Sequence, residues 1–152
     1  TLKQEKDLEI IAEEYSNYYN NSVLEEKWTK ESAIKLFKYF YNQAPDLFFI
    51  AYDNETPVGV IMTCLKPWWD GMHLDDGEVF VCKEYQQKGI AKMLFKKLFE
   101  YAIEKYDATT LEAHTYEDKN GFPYCWYKRL GFETIDDWKI ISGGIKMIVK
   151  KL

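Results

Sequence analysis

With 152 residues, 47% of them hydrophobic and 17% aromatic, the chain is long and apolar enough to bury one core, and its composition excludes an unstructured protein. A formal net charge of −5 disfavours nucleic acid as a partner, and no apolar run approaches the ~20 residues needed to cross a membrane. Cys64, Cys82 and Cys125, with only His73 and His114 beside them, lack metal-ligand spacing, so no metal is expected and a reduced, cytoplasmic protein is.

Taken in chain order, Leu8, Ile11, Ala12, Tyr15 and Tyr19 share one face of a helix predicted over residues 7–20. A second helix is expected over 30–42, capped by Thr29, with Ala33, Ile34, Phe37 and Phe40 or Tyr41 facing inward. Residues 47–52 form a buried strand, Asp53 to Pro57 a turn, and Val58 to Leu65 the returning strand of a hairpin. A loop is expected from Lys66 to Asp76, carrying Trp68 and Trp69, then a strand from Glu78 to Cys82. A helix follows from Gly89 to about Tyr106, with Ala91, Leu94, Phe95, Leu98, Ala102 and Ile103 turned inward, and then a strand from Thr109 to His114. Strand, helix and strand in that order imply a parallel pair with a right-handed crossover. Gly121 to Leu130 reads as a helix stopped by Gly131, and residues 132–135 and 139–149 read as closing strands. With no repeat or linker, residues 1–152 are expected to form one mixed α/β domain.

Two features carry chemistry. Gln86-Gln87-Lys88-Gly89-Ile90-Ala91-Lys92 joins a strand to a helix. Such a junction aims several N–H groups and the positive end of a helix at one point, where Gly89 leaves room for an anion. An ordinary strand–helix connection with a solvated lysine pair is the plainer alternative. Just before it, Asp70, Asp75, Asp76 and Glu78 lie within nine residues. They are either a solvated acidic loop or the lip of a pocket that draws in a cationic amine.

With these segments in view, the chain resembles the GCN5-related N-acetyltransferase (GNAT) superfamily. Gln86-Gln87-Lys88-Gly89-Ile90-Ala91 matches the family's acetyl-CoA motif: Gln or Arg, two residues, Gly, one residue, then Gly or Ala. Independently, Trp126-Tyr127-Lys128-Arg129-Leu130-Gly131-Phe132 matches its aromatic-Tyr-x-x-Leu-Gly-Phe signature, with Asn120 seven residues before the tyrosine. Departures are Lys83 where the family usually has Pro, Ala91 for the commoner Gly, and a long segment from His114 to Asn120. The family's first strand would mostly precede Leu2.

The resemblance implies a mixed, mostly antiparallel sheet whose central parallel pair splays to admit acetyl-CoA, with helices on both faces. Gln87, Lys88, Gly89, Ile90, Ala91 and Lys92 would hold the pyrophosphate, and Val79, Phe80 and Val81 would pair with the pantetheine arm as an added strand. Gln86 and Asn120 complete the expected cofactor contacts. Tyr127 is nominated as the acid that protonates the leaving thiolate. For the base, Glu78 is preferred, Glu112 comes second and Asp75 or Asp76 third; burial by Trp68, Trp69 and Phe80 would raise the Glu78 pKa. The expected reaction moves acetyl to the primary amine of a small, cationic acceptor. Acetylation of a protein or peptide, or acyl-CoA binding without catalysis, are the alternatives. The resemblance also leaves room for a homodimer, and neither nucleic acid nor membrane is expected as a partner.

Overall fold

The structure, a computed structural model, describes residues 5–150. The strand expected ahead of Leu2 lies outside them. The chain divides into two compact units, Thr1–His114 and Thr115–Leu152.

The first unit opens with helix α1 (Glu5–Asn20) and helix α2 (Lys30–Gln43). Thr29 caps α2 as its sequence predicts: its hydroxyl accepts from the Ser32 N–H while the Ser32 hydroxyl accepts from the Thr29 N–H. That reciprocal pair satisfies two of the donors a helix start leaves orphaned. Asn20 bonds both the N–H and the carbonyl of Trp28, which pins the connection between the two helices.

Strands β1 (Phe48–Asp53), β2 (Thr56–Trp68), β3 (Gly71–Val81) and β4 (Ala108–Glu112) form one sheet in the order β1-β2-β3-β4. The first two pairings are antiparallel and the last is parallel, joined through helix α3 (Ile90–Tyr106). The mixed α/β fold with its parallel pair is therefore as expected.

Strand alternation sorts the sheet into two faces. Phe48, Val60, Met62, Phe80 and Cys82 join Leu8, Ile11, Tyr15, Ala33, Phe37 and Phe40 in one core beneath α1 and α2. On the other face Phe49 meets Tyr101 of α3 with ring centroids 5.8 Å apart. Leu94, Phe95, Leu98 and Ala102 are the buried stripe of α3. Ile103, expected inward, is 59% exposed, since it sits one residue past that stripe.

Two expectations need correction. Residues 66–76 are not a loop: β2 and β3 continue to a tight turn at Trp69-Asp70, with Trp68 paired to Gly71. Pro67 made that run read as broken. It is tolerated because the β1 pairing ends at Phe48↔Met62, leaving β2 with an open edge there among the described residues. In the second unit no strand forms over residues 132–150; the tail carries only a short helix, α5 (Ile145–Val149). Apolar, β-branched composition favours a strand only where a neighbouring ladder accepts it.

Candidate active site

Two distortions shape β3. At Gly77 (φ +137°) a Cβ would stand 2.2 Å from the Met62 carbonyl oxygen, so only glycine fits. Here the β2–β3 register shifts between Met62 and Cys64, and the Thr63 hydroxyl donates to the Asp76 carbonyl at 2.5 Å. Beside this bulge the parallel pairing of β3 with β4 stops, its last partners being Asp75↔Glu112. From Asp76 onward the β4-facing edge of β3 is open among the described residues.

The Cys82 N–H bonds inward to the Val58 carbonyl at 2.9 Å. Alternation therefore turns the backbone groups of Val81 and Val79 outward, to the open edge, while the Phe80 side chain is buried in the core. The Gln86 side-chain amide donates to the Val81 carbonyl at 3.0 Å and so anchors the following turn to that edge.

A single 3₁₀ turn (Lys83–Tyr85) then leads into Gln87 (φ +60°), Lys88 and Gly89 (φ +83°). Gly89 is the N-cap of α3, and a Cβ there would meet nothing within 4 Å. The space above it is open to a bulky group. Met93 is the first residue of the helix with a bonded N–H, to the Gly89 carbonyl at 3.0 Å. The N–H groups of Gly89, Ile90, Ala91 and Lys92 precede that first helical bond, and residues 86 and 87 form a turn ahead of them. The first-turn N–H groups at the positive end of a 17-residue helix suit a phosphate-bearing ligand.

Glu78 lies where the strands part, half-buried and paired in register with Met62. Burial pushes its carboxyl up to about 7; the Tyr15 hydroxyl pulls down as a hydrogen-bond donor, while Asp76 and Glu26 push up. The expected cause was only partly right. Phe80 shares the face of Glu78, but Trp68 and Trp69 sit at the hairpin tip, roughly 20 Å along the strand, and Trp69 is 86% exposed. The aromatic surroundings come instead from Tyr15, Tyr18 and Tyr19 of α1 and from Trp28, packed with Phe80.

Glu26 escaped the sequence reading because it lies on an unpatterned connection. Its carboxylate accepts from the Trp28 indole at 2.8 Å, and Trp28 in turn is held by Asn20. The other carboxylates considered as bases are already engaged. Lys66 Nζ bonds Asp75 at 3.1 Å and Glu112 at 3.3 Å, and buried His73 lies 2.9 Å from Asp70 and 3.7 Å from Glu112. Asp76 remains exposed, 3.7 Å from His114.

Asn120 and Tyr127 belong to the second unit. Asp118 accepts from the N–H groups of Asn120 (2.8 Å) and Phe122 (2.9 Å), forming the turn that precedes helix α4 (Tyr124–Leu130). At the end of α4 the Gly131 N–H reaches the Lys128 carbonyl (3.1 Å) and the Phe132 N–H the Tyr127 carbonyl (3.2 Å). Those two bonds, with the Tyr127 and Phe132 rings 5.5 Å apart, make a Schellman cap with its hydrophobic contact. The Tyr-x-x-Leu-Gly-Phe signature thus has a local structural reason whatever else Tyr127 does.

The sequence profile of the Acetyltransferase (GNAT) family matches residues 8–132. The chain belongs to this family. An uncharacterised N-acetyltransferase of Methanocaldococcus jannaschii is 27% identical over 145 residues, covering 93% of this chain. The chain spans 60% of the length of that relative. Among solved structures, a Clostridium difficile 630 protein named as a possible acetyltransferase superimposes with TM-score 0.71 at 17% identity, covering 93% of both chains. A chain of the NatC complex bound to Gag peptide and CoA superimposes with TM-score 0.65 at 22% identity, over 86% of this chain and 79% of that one. At these identities the likeness shows the GNAT fold. Among the described residues no helix is long and apolar enough to cross a membrane.

Proposed function

We propose that residues 1–152 act as one N-acetyltransferase domain that moves acetyl from acetyl-CoA directly to the primary amine of a small, cationic acceptor. The observation that carries this reading is the open edge of β3. It runs from a carboxylate raised to about 7 at one end to the first-turn N–H groups of α3 at the other. A CoA thioester has the matching order of parts: a reactive carbonyl, an amide-bearing arm and a pyrophosphate.

In this reading, Gln87 to Lys92 hold the pyrophosphate, and Val79 and Val81 pair with the pantetheine amides. Gln86 shapes the turn through Val81, and Asn120 adds a polar contact. The bound thioester supplies an activated acetyl group. Glu78 takes the proton from the incoming ammonium, directly or through one water, so that the free amine can attack. A carboxylate near 7 is suited to this, being about half ionised in neutral solution and basic enough to accept a proton. Tyr127 is assigned the proton that the leaving thiolate needs. Glu26 and Asp76 place negative charge around Glu78, and the partly exposed Tyr18, Tyr19 and Trp28 offer ring faces to an ammonium group.

Calorimetric titration with acetyl-CoA and CoA, followed by a thiol-release screen over an amine panel, tests the reading. Micromolar binding with CoA release on a cationic amine is the expected result. No binding to either ligand would overturn it. Turnover on peptides but not on small amines would favour peptide acetylation, a reading that the likeness to the peptide-bound NatC chain supports.

A further inference from the structure

The last rung of the parallel pair sets two carboxylates side by side. Asp75 of β3 and Glu112 of β4 are register partners, so both side chains lie on one face of the sheet. Like charges directly opposite one another push strands apart, and this rung lies immediately before the point where β3 and β4 part. Lys66 reaches it from β2. Its Nζ donates to Asp75 Oδ1 at 3.1 Å and to Glu112 Oε2 at 3.3 Å. The same ammonium stands 4.6 Å from the centroid of the Trp68 ring, two residues further along β2. On the other side of Glu112, the buried His73 ring has Nδ1 3.7 Å from Glu112 Oε1 and Nε2 2.9 Å from Asp70 Oδ1. Neither ring nitrogen completes a hydrogen bond among the described residues, so His73 walls the rung without tying it. The Lys66 ammonium is the group that bonds both of its members.

We infer that Lys66 is a positioning residue: by bonding Asp75 and Glu112 it fastens β3 to β4 at the fork and so sets where the open edge of β3 begins. The fastening stands on these distances alone; its consequence for the reaction rests on that edge being the seat of acetyl-CoA. β2 has no ladder with β4, since β3 lies between them, so the side chain of Lys66 is what links β2 to β4 here. The bulge at Gly77 ends the ladder on one side of the rung, and Lys66 keeps the rung itself closed. Without the ammonium the two carboxylates would repel, and the fork would move back toward the His73↔Thr110 rung. A ligand that needs the closed fork would then bind only the fraction of molecules in which it is closed. Its apparent affinity would fall by that fraction.

Amide hydrogen exchange in the ligand-free chain tests the fastening, and calorimetric titration with acetyl-CoA tests its consequence. Lys66→Met should speed exchange of the amides bonded between β3 and β4 several-fold, while those between β1 and β2 keep their rates. Acetyl-CoA binding should weaken by about three- to tenfold, the scale of a partly exposed ion pair with two partners. Lys66→Gln, polar and neutral, takes its place if the methionine variant folds poorly. Lys66→Arg should restore both readings. Lys66→Met combined with Asp75→Asn should restore them too, because one of the two like charges has gone. A role confined to packing the Lys66 stem on Trp68 would not be rescued in this way. Unchanged exchange in Lys66→Met, or no rescue by Asp75→Asn, would overturn the inference. Faster exchange with unchanged acetyl-CoA affinity would keep the fastening and overturn the positioning role. Should the wild type bind no acetyl-CoA, the enzyme reading fails, and exchange by itself still decides the fastening.

Discussion

Glu78 illustrates how one residue sets function against stability. Its folded-state carboxyl is raised, so between about 4.5 and 7 the folded chain binds more protons than the unfolded one. Stability from this group is therefore lost as pH rises through that window, by about 1–3 kcal/mol in total. Glu78→Gln mimics the protonated form. It should melt at a higher temperature than the wild type at pH 8 and show little gain at pH 5, while kcat/KM falls by about 10²-fold or more. Thermal melts at the two pH values, run beside the thiol-release assay, check both halves. A variant that keeps full activity would remove Glu78 as the base. In the wild type, kcat/KM should rise through about pH 7 and level off above it, since only the ionised carboxylate can accept the proton.

At the scale of elements, the two ends of α3 do different things. Its start is built for an anion: Gly89→Glu would direct a carboxylate into the space that phosphate needs, at a backbone position (φ +83°) that already disfavours a side chain. Acetyl-CoA affinity should fall by about 100-fold or more with the far-ultraviolet dichroism preserved; retained tight binding would remove the phosphate assignment. Its end is tied to the short 3₁₀ turn Pro45–Leu47. Lys105 and the hydroxyls of Tyr101 and Tyr106 all donate to the Asp46 carboxylate. Burial alone would raise the pKa of Asp46, but those three donors outweigh it and hold the group down at about 2. A depressed acid stabilises the fold above its unfolded value near 4 and loses that contribution as pH falls toward 2. Asp46→Asn should therefore cost about 1–2 kcal/mol at pH 7 and much less at pH 3, read by denaturant melts at both. The Schellman cap of α4 allows a similar separation. Tyr127→Phe keeps the ring contact with Phe132 and should lower kcat with the cap intact, whereas Tyr127→Ala should also loosen the cap.

Over the whole molecule, net charge −5 sets a field that attracts cations, and the structure refines which acids matter locally. Asp75, grouped with Asp76 on sequence spacing alone, is neutralised by Lys66, while Glu26 arrives at Glu78 from a distant segment. Asp76→Asn combined with Glu26→Gln should raise KM for a cationic amine several-fold and leave acetyl-CoA affinity unchanged, whereas Asp75→Asn should do less. The KM for such an amine should also rise with salt, because exposed charge is screened over about 10 Å at 0.1 M. Steady-state kinetics at two ionic strengths checks both statements, and equal shifts for amine and acetyl-CoA would point to a general effect on folding.

What the amino-acid order determined by itself is whatever depends on neighbours along the chain. The buried stripes of α1, α2 and α3, the Thr29 cap, the Gly131 stop and the glycine turn after β3 all follow from spacings of a few residues. Two of those local patterns were specific enough to resemble the family that the profile match then showed. Tertiary structure decided what depends on who stands across the gap. Pro67 could remain in a strand only because β2 had lost its β1 partner there, and residues 132–149, strand-like in composition, formed none without a ladder. The same holds for the site. Glu78 was legible as a candidate, but its protonation is set first by burial and then by groups that include Tyr15 and Glu26, 63 and 52 residues away in sequence. Burial and Coulomb interactions act through space, and spacing along a chain carries no record of them until the chain has folded.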